Sequence, residues 1–211
     1  MTASGLVLAT QEPGNVTGHI TRFHQARGGQ SLPEVAEFKP SYLIEGLPGH
    51  PLHPPLTDAT IGTYTFATIA AVLSKLGVAD HAFAQAWWLA LVLGLVTTVF
   101  TALTGLVDWL KITWGSEMWK TATLHLTAML TATVFFLLAA VFGHPGYADR
   151  AVTTGSFLLT LVGFVCLTTG GWLGGAITFV HGMRVLSLPD EDTVKAIVPA
   201  PTDEKVEAAE G

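Results

Sequence analysis

The segment HAFAQAWWLALVLGLVTTVFTALTGLV, residues 81–107, runs from Asp80 to Asp108 without an intervening Asp, Glu, Lys or Arg. A helix that crosses a bilayer needs about 20 predominantly apolar residues, and this segment exceeds that length. Two more such stretches follow: residues 121–148 between Lys120 and Asp149, and residues 151–183 between Arg150 and Arg184. A fourth precedes it, residues 59–74 between Asp58 and Lys75, which reaches spanning length only when extended from Leu56 to Val78. Short links are expected at Gly77–His81, Trp114–Trp119 and Gly143–Asp149, the last reading GHPGYAD and rich in turn residues. The expected fold is therefore an all-α integral membrane protein, a four-transmembrane-helix up-down bundle. Buried helices of a soluble protein would carry polar faces that these segments lack.

Composition agrees. Of 211 residues, 50% are apolar and only 12% charged, against roughly twice that charged fraction in a typical soluble domain. The mean hydropathy is +0.50. A net charge of −6 with no cluster of Lys or Arg argues against a nucleic-acid partner. The lone cysteine, Cys166, excludes a disulfide framework, a Cys-based zinc site and a Cys-ligated iron–sulfur cluster within the chain.

Lys39, Lys111, Lys120 and Arg184 flank the spans on the side that holds both termini, whereas Lys75 and Arg150 flank the other. The positive-inside rule thus predicts a multi-pass protein of the cytoplasmic membrane with both termini cytoplasmic. Trp109, Trp114 and Trp119 are expected in the interfacial belt on that side, with Trp87 and Trp88 in the opposite one. The first residues show no basic start followed by an apolar core, so no signal peptide is expected. Three regions follow: a polar N-terminal tail over 1–48, the transmembrane domain over 49–186, and an acidic, Pro-containing tail over 187–211, both tails flexible.

Each span carries small or polar residues at steps of three, four or seven, which share one helix face. These are Asp58, Gly62 and Thr65; Gly94, Thr98, Thr101, Gly105 and Asp108; His125, Ala128, Ala132 and Ala139; and Gly163, Gly170, Gly174 and His181. Small residues of this kind serve mainly as the packing interface of membrane helices. Gly170, Gly171, Gly174 and Gly175 form two overlapping G-x-x-x-G patterns, suited to packing within the bundle or against a second copy. Alternating helix direction brings Asp58, Asp108, His125 and His181 to one membrane level, with His50 and His53 close by. Ionisable groups in a membrane are costly and point to function, the competing explanation being a hydrogen-bonded polar cap near the interface.

Three functional readings share these residues. His125 and His181 are the histidine pair within the spans, suited to the axial positions of haem b, with Phe135 and Trp172 as bulky walls. His53, Asp58, Asp108 and His125 offer mixed nitrogen and oxygen ligands to a transition metal. The same groups can relay protons to a quinone or across a gate. His81 and His144 fall in links on the opposite side and His19 and His24 in the N-terminal tail, where solvation is the simpler reading. Cys166, alone in mid-span, reads as a packing residue. No nucleophile–base arrangement or nucleotide-binding motif is visible, so no enzymatic activity is assigned.

HPLHPPLTDATIG at 50–62, ALTGLVDW at 102–109, the early His125 of the third span and GGWLGGAITFVHGMRV at 170–185 together resemble an uncharacterised bacterial membrane family. It is domain-of-unknown-function family 2231, and the resemblance covers about residues 49–186. It implies the four-helix fold and polar positions at His53, Asp58, Asp108, His125 and His181. Some members carry a fused Rieske-type domain, which implies an electron-transfer setting, although the C-terminal tail of this chain has no Cys or His to form one. The expected role is a cofactor- or metal-binding component in the lipid bilayer, serving electron transfer beside a redox protein partner or as a homo-oligomer. The alternative is a non-catalytic membrane scaffold or assembly subunit whose polar cluster is structural.

Overall fold

The computed structural model describes residues 39–186, residue 190 and residues 192–197. Four long helices dominate: α1 (His53–Lys75), α2 (Asp80–Leu110), α3 (Glu117–Asp149) and α4 (Thr154–Phe179). All four are long and apolar enough to cross a membrane, as the charge-free segments predict. Pro54 and Pro55 open α1, where a missing N–H costs nothing. The Ser116 side chain caps α3 by accepting from the Trp119 N–H at 3.1 Å. Thr153 caps α4 in the same way from Ser156 at 3.2 Å.

The links fall at 76–79, 111–116 and 150–153, the first and last shorter than the sequence suggests and the second displaced toward α2. The largest difference is at Gly143–Asp149, which is not a turn but the last two turns of α3. Pro145 deprives only the Val141 carbonyl of its helical donor. Gly143 is small because the Trp87 ring lies against it, and Gly146 because the Ala151 carbonyl does. The helix stops at Arg150, which turns left-handed at φ 54° and donates its N–H to Gly146. His81 and His144 accordingly stand within α2 and α3, both exposed.

The bundle is built inside out relative to a soluble protein. Alanines fill the interior (Ala67, Ala70, Ala71, Ala84, Ala132, Ala139), while Phe66, Leu93, Phe100, Phe142 and Val165 stand on the outer surface facing lipid. Lipid tails are as apolar as leucine, so close approach of small residues is what holds such helices together. α1 packs along α2 and α3 along α4, forming two hairpins; α2 meets α3 less extensively, and α1 meets α4 least. Midway along the helices the hairpins interlock. Tyr64 of α1 stacks on Phe136 of α3 with ring centroids 4.0 Å apart, and Gly94 of α2 lies against the tyrosine ring.

Two expectations are corrected here. Trp87 is not in an interfacial belt: it is fully buried and its Nε1–H donates to Thr160 Oγ1 at 3.0 Å. Trp88, about 100° further round the helix, is half-buried and donates to the Ala140 carbonyl at 2.9 Å. The packed face of α1 is Thr60, Tyr64, Ala67, Thr68 and Ala71 rather than Asp58, Gly62 and Thr65. A Cβ on Gly62 would meet nothing within 4 Å. In α1 the close-packed face combines Ala67 and Ala71 with Thr60 and Tyr64, whose hydroxyls bond to Thr101 and Thr98 of α2.

Most of the two expected tails lies outside the described residues. Of the first, residues 39–48 include a helical turn, Tyr42–Glu45, and strand β1 (Gly46–Leu47), which pairs antiparallel with β2 (His50–Pro51). Gly46 has φ +81°, and a side chain there would overlap the His50 carbonyl, so the tight return to α1 needs glycine. An ion pair from Glu45 to Lys111 ties this turn to the end of α2.

Candidate functional site

Toward the His53 end the hairpins part around a cavity of about 420 Å³. His53, Asp58, Asp108, His125 and Arg184 all line it, together with Thr57, Thr60 and Thr101. Three of the four residues expected to converge at one level (Asp58, Asp108, His125) therefore do so, with His53 among them. His181 is not among the lining residues.

Threonines of α2 and glycines of α2 and α4 position the two imidazoles. The His53 ring lies over Gly105, where a Cβ would come within 2.6 Å of its Cε1. Its Nδ1–H donates to the Thr101 carbonyl and to Thr104 Oγ1, each at 3.1 Å. Thr104 is free to accept because its own hydroxyl donates to the Thr101 carbonyl. The His125 ring lies over Gly174, where a Cβ would come within 3.2 Å, and its Nδ1–H donates to the Gly170 carbonyl at 2.8 Å. A carbonyl can only accept, so in each neutral ring the hydrogen sits on Nδ1 and the lone pair on Nε2. Nε2 of His53 has only the Thr57 hydroxyl at 3.5 Å, beyond a good hydrogen bond. Nε2 of His125 has no hydrogen-bond partner among the described residues, yet none of their buried side-chain N or O atoms is unsatisfied, so it opens onto free space.

His181 is arranged differently. Thr121 already donates its hydroxyl to the Glu117 carbonyl, so the His181 Nε2–H donates to Thr121 Oγ1 at 3.0 Å. This is the opposite tautomer, spent on tying α3 to the chain after α4. Trp172, considered as a wall for a macrocycle, is 84% exposed on the outer surface.

The carboxylates also differ. Asp108 is 8% exposed and pairs with Arg184, Nη2 to Oδ1 at 2.5 Å. Sequence reading used Arg184 only as a topological marker. No short-range spacing links residues so far apart, and the left-handed backbone at Gly182 and Arg184 that turns the arginine back is invisible in composition. Asp58 stands exposed on the rim, with no hydrogen bond or ion pair among the described residues. Although these side chains share a cavity, no three His, Cys, Asp or Glu residues form a metal-holding group among the described residues.

The fold and cavity thus define a four-helix integral membrane protein with a mainly apolar cleft at one end that carries a few ionisable side chains. The chain belongs to the family described as a predicted membrane protein, DUF2231, whose model matches residues 49–187. No curated protein and no solved structure matches it.

Proposed function

We propose that the protein is a membrane electron-transfer component in which His53 and His125 hold a b-type haem beside a redox protein partner. One observation carries this reading: two imidazoles on different helices, seated on glycines, each anchor Nδ1–H to a backbone carbonyl, leave Nε2 without a good hydrogen bond, and line one cavity. Metal-ligating histidines usually have their other nitrogen fixed in this way, which sets tautomer and ring orientation. The two histidines would hold the haem iron, whereas a bare transition metal wants a larger set of the kind His53, Asp58, Asp108 and His125 do not form. The pairing of His125 with His181 is less well supported, since the Nε2 of His181 is engaged by Thr121. A buried carboxylate beside a porphyrin would be costly, but Arg184 neutralises Asp108. When bound, the haem would supply one-electron transfer at its iron. The chain's own residues orient the ligating nitrogens, and Ile61, Leu126 and Met129 line the same cavity.

The test is a reduced-minus-oxidised spectrum of protein purified from haem-supplemented cells, with metal analysis alongside. Wild type should show a b-type band, and His53→Ala and His125→Ala should each lose it while His181→Ala keeps it. A colourless, folded wild type overturns the reading. The scaffold alternative draws support from the self-satisfied Asp108–Arg184 and Thr121–His181 pairs, and it expects that colourless result.

For orientation we infer that the His53 end and both termini face the cytoplasm, from the excess of Lys and Arg there. In a Cys166→Ser background, single cysteines at 151–153 should label in intact cells and those at 114–117 only after permeabilisation. The reverse pattern would place the cleft on the outer side.

A further inference from the structure

The cleft is open to its surroundings along the seam between α1 and α4. No hydrogen bond or ion pair joins these two helices among the described residues, and Ile61 Cδ1 lies 4.0 Å from where a Cβ on Gly171 would stand. One turn along α4, a Cβ on Gly175 would meet nothing within 4 Å, so the wall there has no side chain filling it. Asp58 stands on the rim of this gap, and Phe179 of the same seam is exposed. On the other seam the lining includes Leu130, which lies roughly 20 Å along α3 from Glu117 at 1.5 Å per residue. The cavity therefore extends from near one membrane surface to acyl-chain depth.

The chemistry of the mouth selects its occupant. Arg184, the cation among the lining residues, is already paired with Asp108. Asp58, without a partner, offers a carboxylate that accepts hydrogen bonds and repels anions. An anionic lipid head or a fatty acid is disfavoured there. A lipid-soluble molecule whose head donates a hydroxyl hydrogen bond is favoured, with its tail leaving past Ile61 and Ile177 into the bilayer.

We propose that this mouth binds an isoprenoid hydroquinone, whose ring hydroxyl donates to the Asp58 carboxylate. The choice of hydroquinone among hydroxylated lipids rests on the electron-transfer reading. The oxidised quinone has only carbonyl acceptors and faces the carboxylate with nothing to donate, so the site distinguishes the two redox forms.

The test uses the full chain in nanodiscs of neutral phospholipid, prepared without oxygen, with binding followed by titration calorimetry. The probes are a decyl-substituted benzohydroquinone, its quinone, decanol and decylamine. Wild type should bind the hydroquinone at least 10-fold more tightly than the quinone or decanol. Asp58→Asn should reduce that preference to within about 2-fold, and Gly175→Phe, which fills the gap from the other wall, should weaken the hydroquinone at least 10-fold. Circular dichroism on each variant confirms a wild-type helix content, and Asp58→Glu should retain most of the preference if a carboxylate is what matters. Equal affinity for the two redox forms, an unchanged preference in Asp58→Asn, or tighter binding of decylamine than of hydroquinone would overturn the proposal. Calorimetry is read on haem-free protein as well, so a colourless preparation defeats the haem assignment without deciding this one.

Discussion

Trp87→Ala is expected to destabilise the bundle by about 3 kcal/mol. Truncating a buried large aromatic costs roughly 3–5 kcal/mol in water-soluble cores. Transfer from water contributes little between membrane helices, so the lower end applies and the loss is mostly packing. The ring fills the space beside Gly143, and its Nε1–H reaches Thr160 on the second hairpin. Trp87→Phe should lose only about 1 kcal/mol, the net worth of one hydrogen bond, because Thr160 keeps its bond to the Ser156 carbonyl. Unfolding by denaturing detergent in mixed micelles measures both. A Trp87→Ala variant within 1 kcal/mol of wild type would show that the hairpins do not interlock through this residue.

The second large effect is expected at Arg184. Removing one partner of a buried ion pair costs roughly 3–5 kcal/mol, because the other charge is left desolvated and alone. The Arg184 side chain is 30% exposed and that of Asp108 11%, so solvent screens part of the charge and about 3 kcal/mol is expected for Arg184→Ala. Asp108→Asn combined with Arg184→Ala should recover most of it, since the penalty lies in the orphaned carboxylate rather than in a lost attraction. If the double variant is as unstable as the single one, Arg184 acts through packing of its stem and not through Asp108. The same unfolding assay separates the two.

The four spans were legible because a charge-free run of membrane length has few other physical meanings. The inward faces of α2, α3 and α4 were legible too: Gly94, Thr101, Ala132, Ala139, Gly163 and Gly170 are buried as their spacing implies. What failed was local. Trp87 and Trp88 are neighbours in sequence, and composition does not say which of them points into the bundle. GHPGYAD reads as a turn because proline and glycine usually interrupt helices, yet its glycines accommodate Trp87 and the Ala151 carbonyl. In the site, the histidines and carboxylates were identifiable as costly groups in a membrane. Their partners, the Thr101 and Gly170 carbonyls and Arg184, were not, because such contacts depend on how helices far apart in the chain are rotated against one another.

The unequal seams between the hairpins give the molecule a direction within the plane of the bilayer. The α2/α3 side is closed by the 111–116 connection and by hydrogen bonds from Trp88 to Ala140 and from Trp109 to Thr123. The α1/α4 side has neither kind of tie among the described residues. Seen down the membrane normal, the protein therefore has a spine and a fore-edge, and a small separation of α1 from α4 would widen the cleft without breaking the chain or those bonds. A lipid that enters the site from within the bilayer would do so from that one azimuth. Neighbours gathered around the spine would leave the site accessible, whereas neighbours on the fore-edge would either serve it or block it.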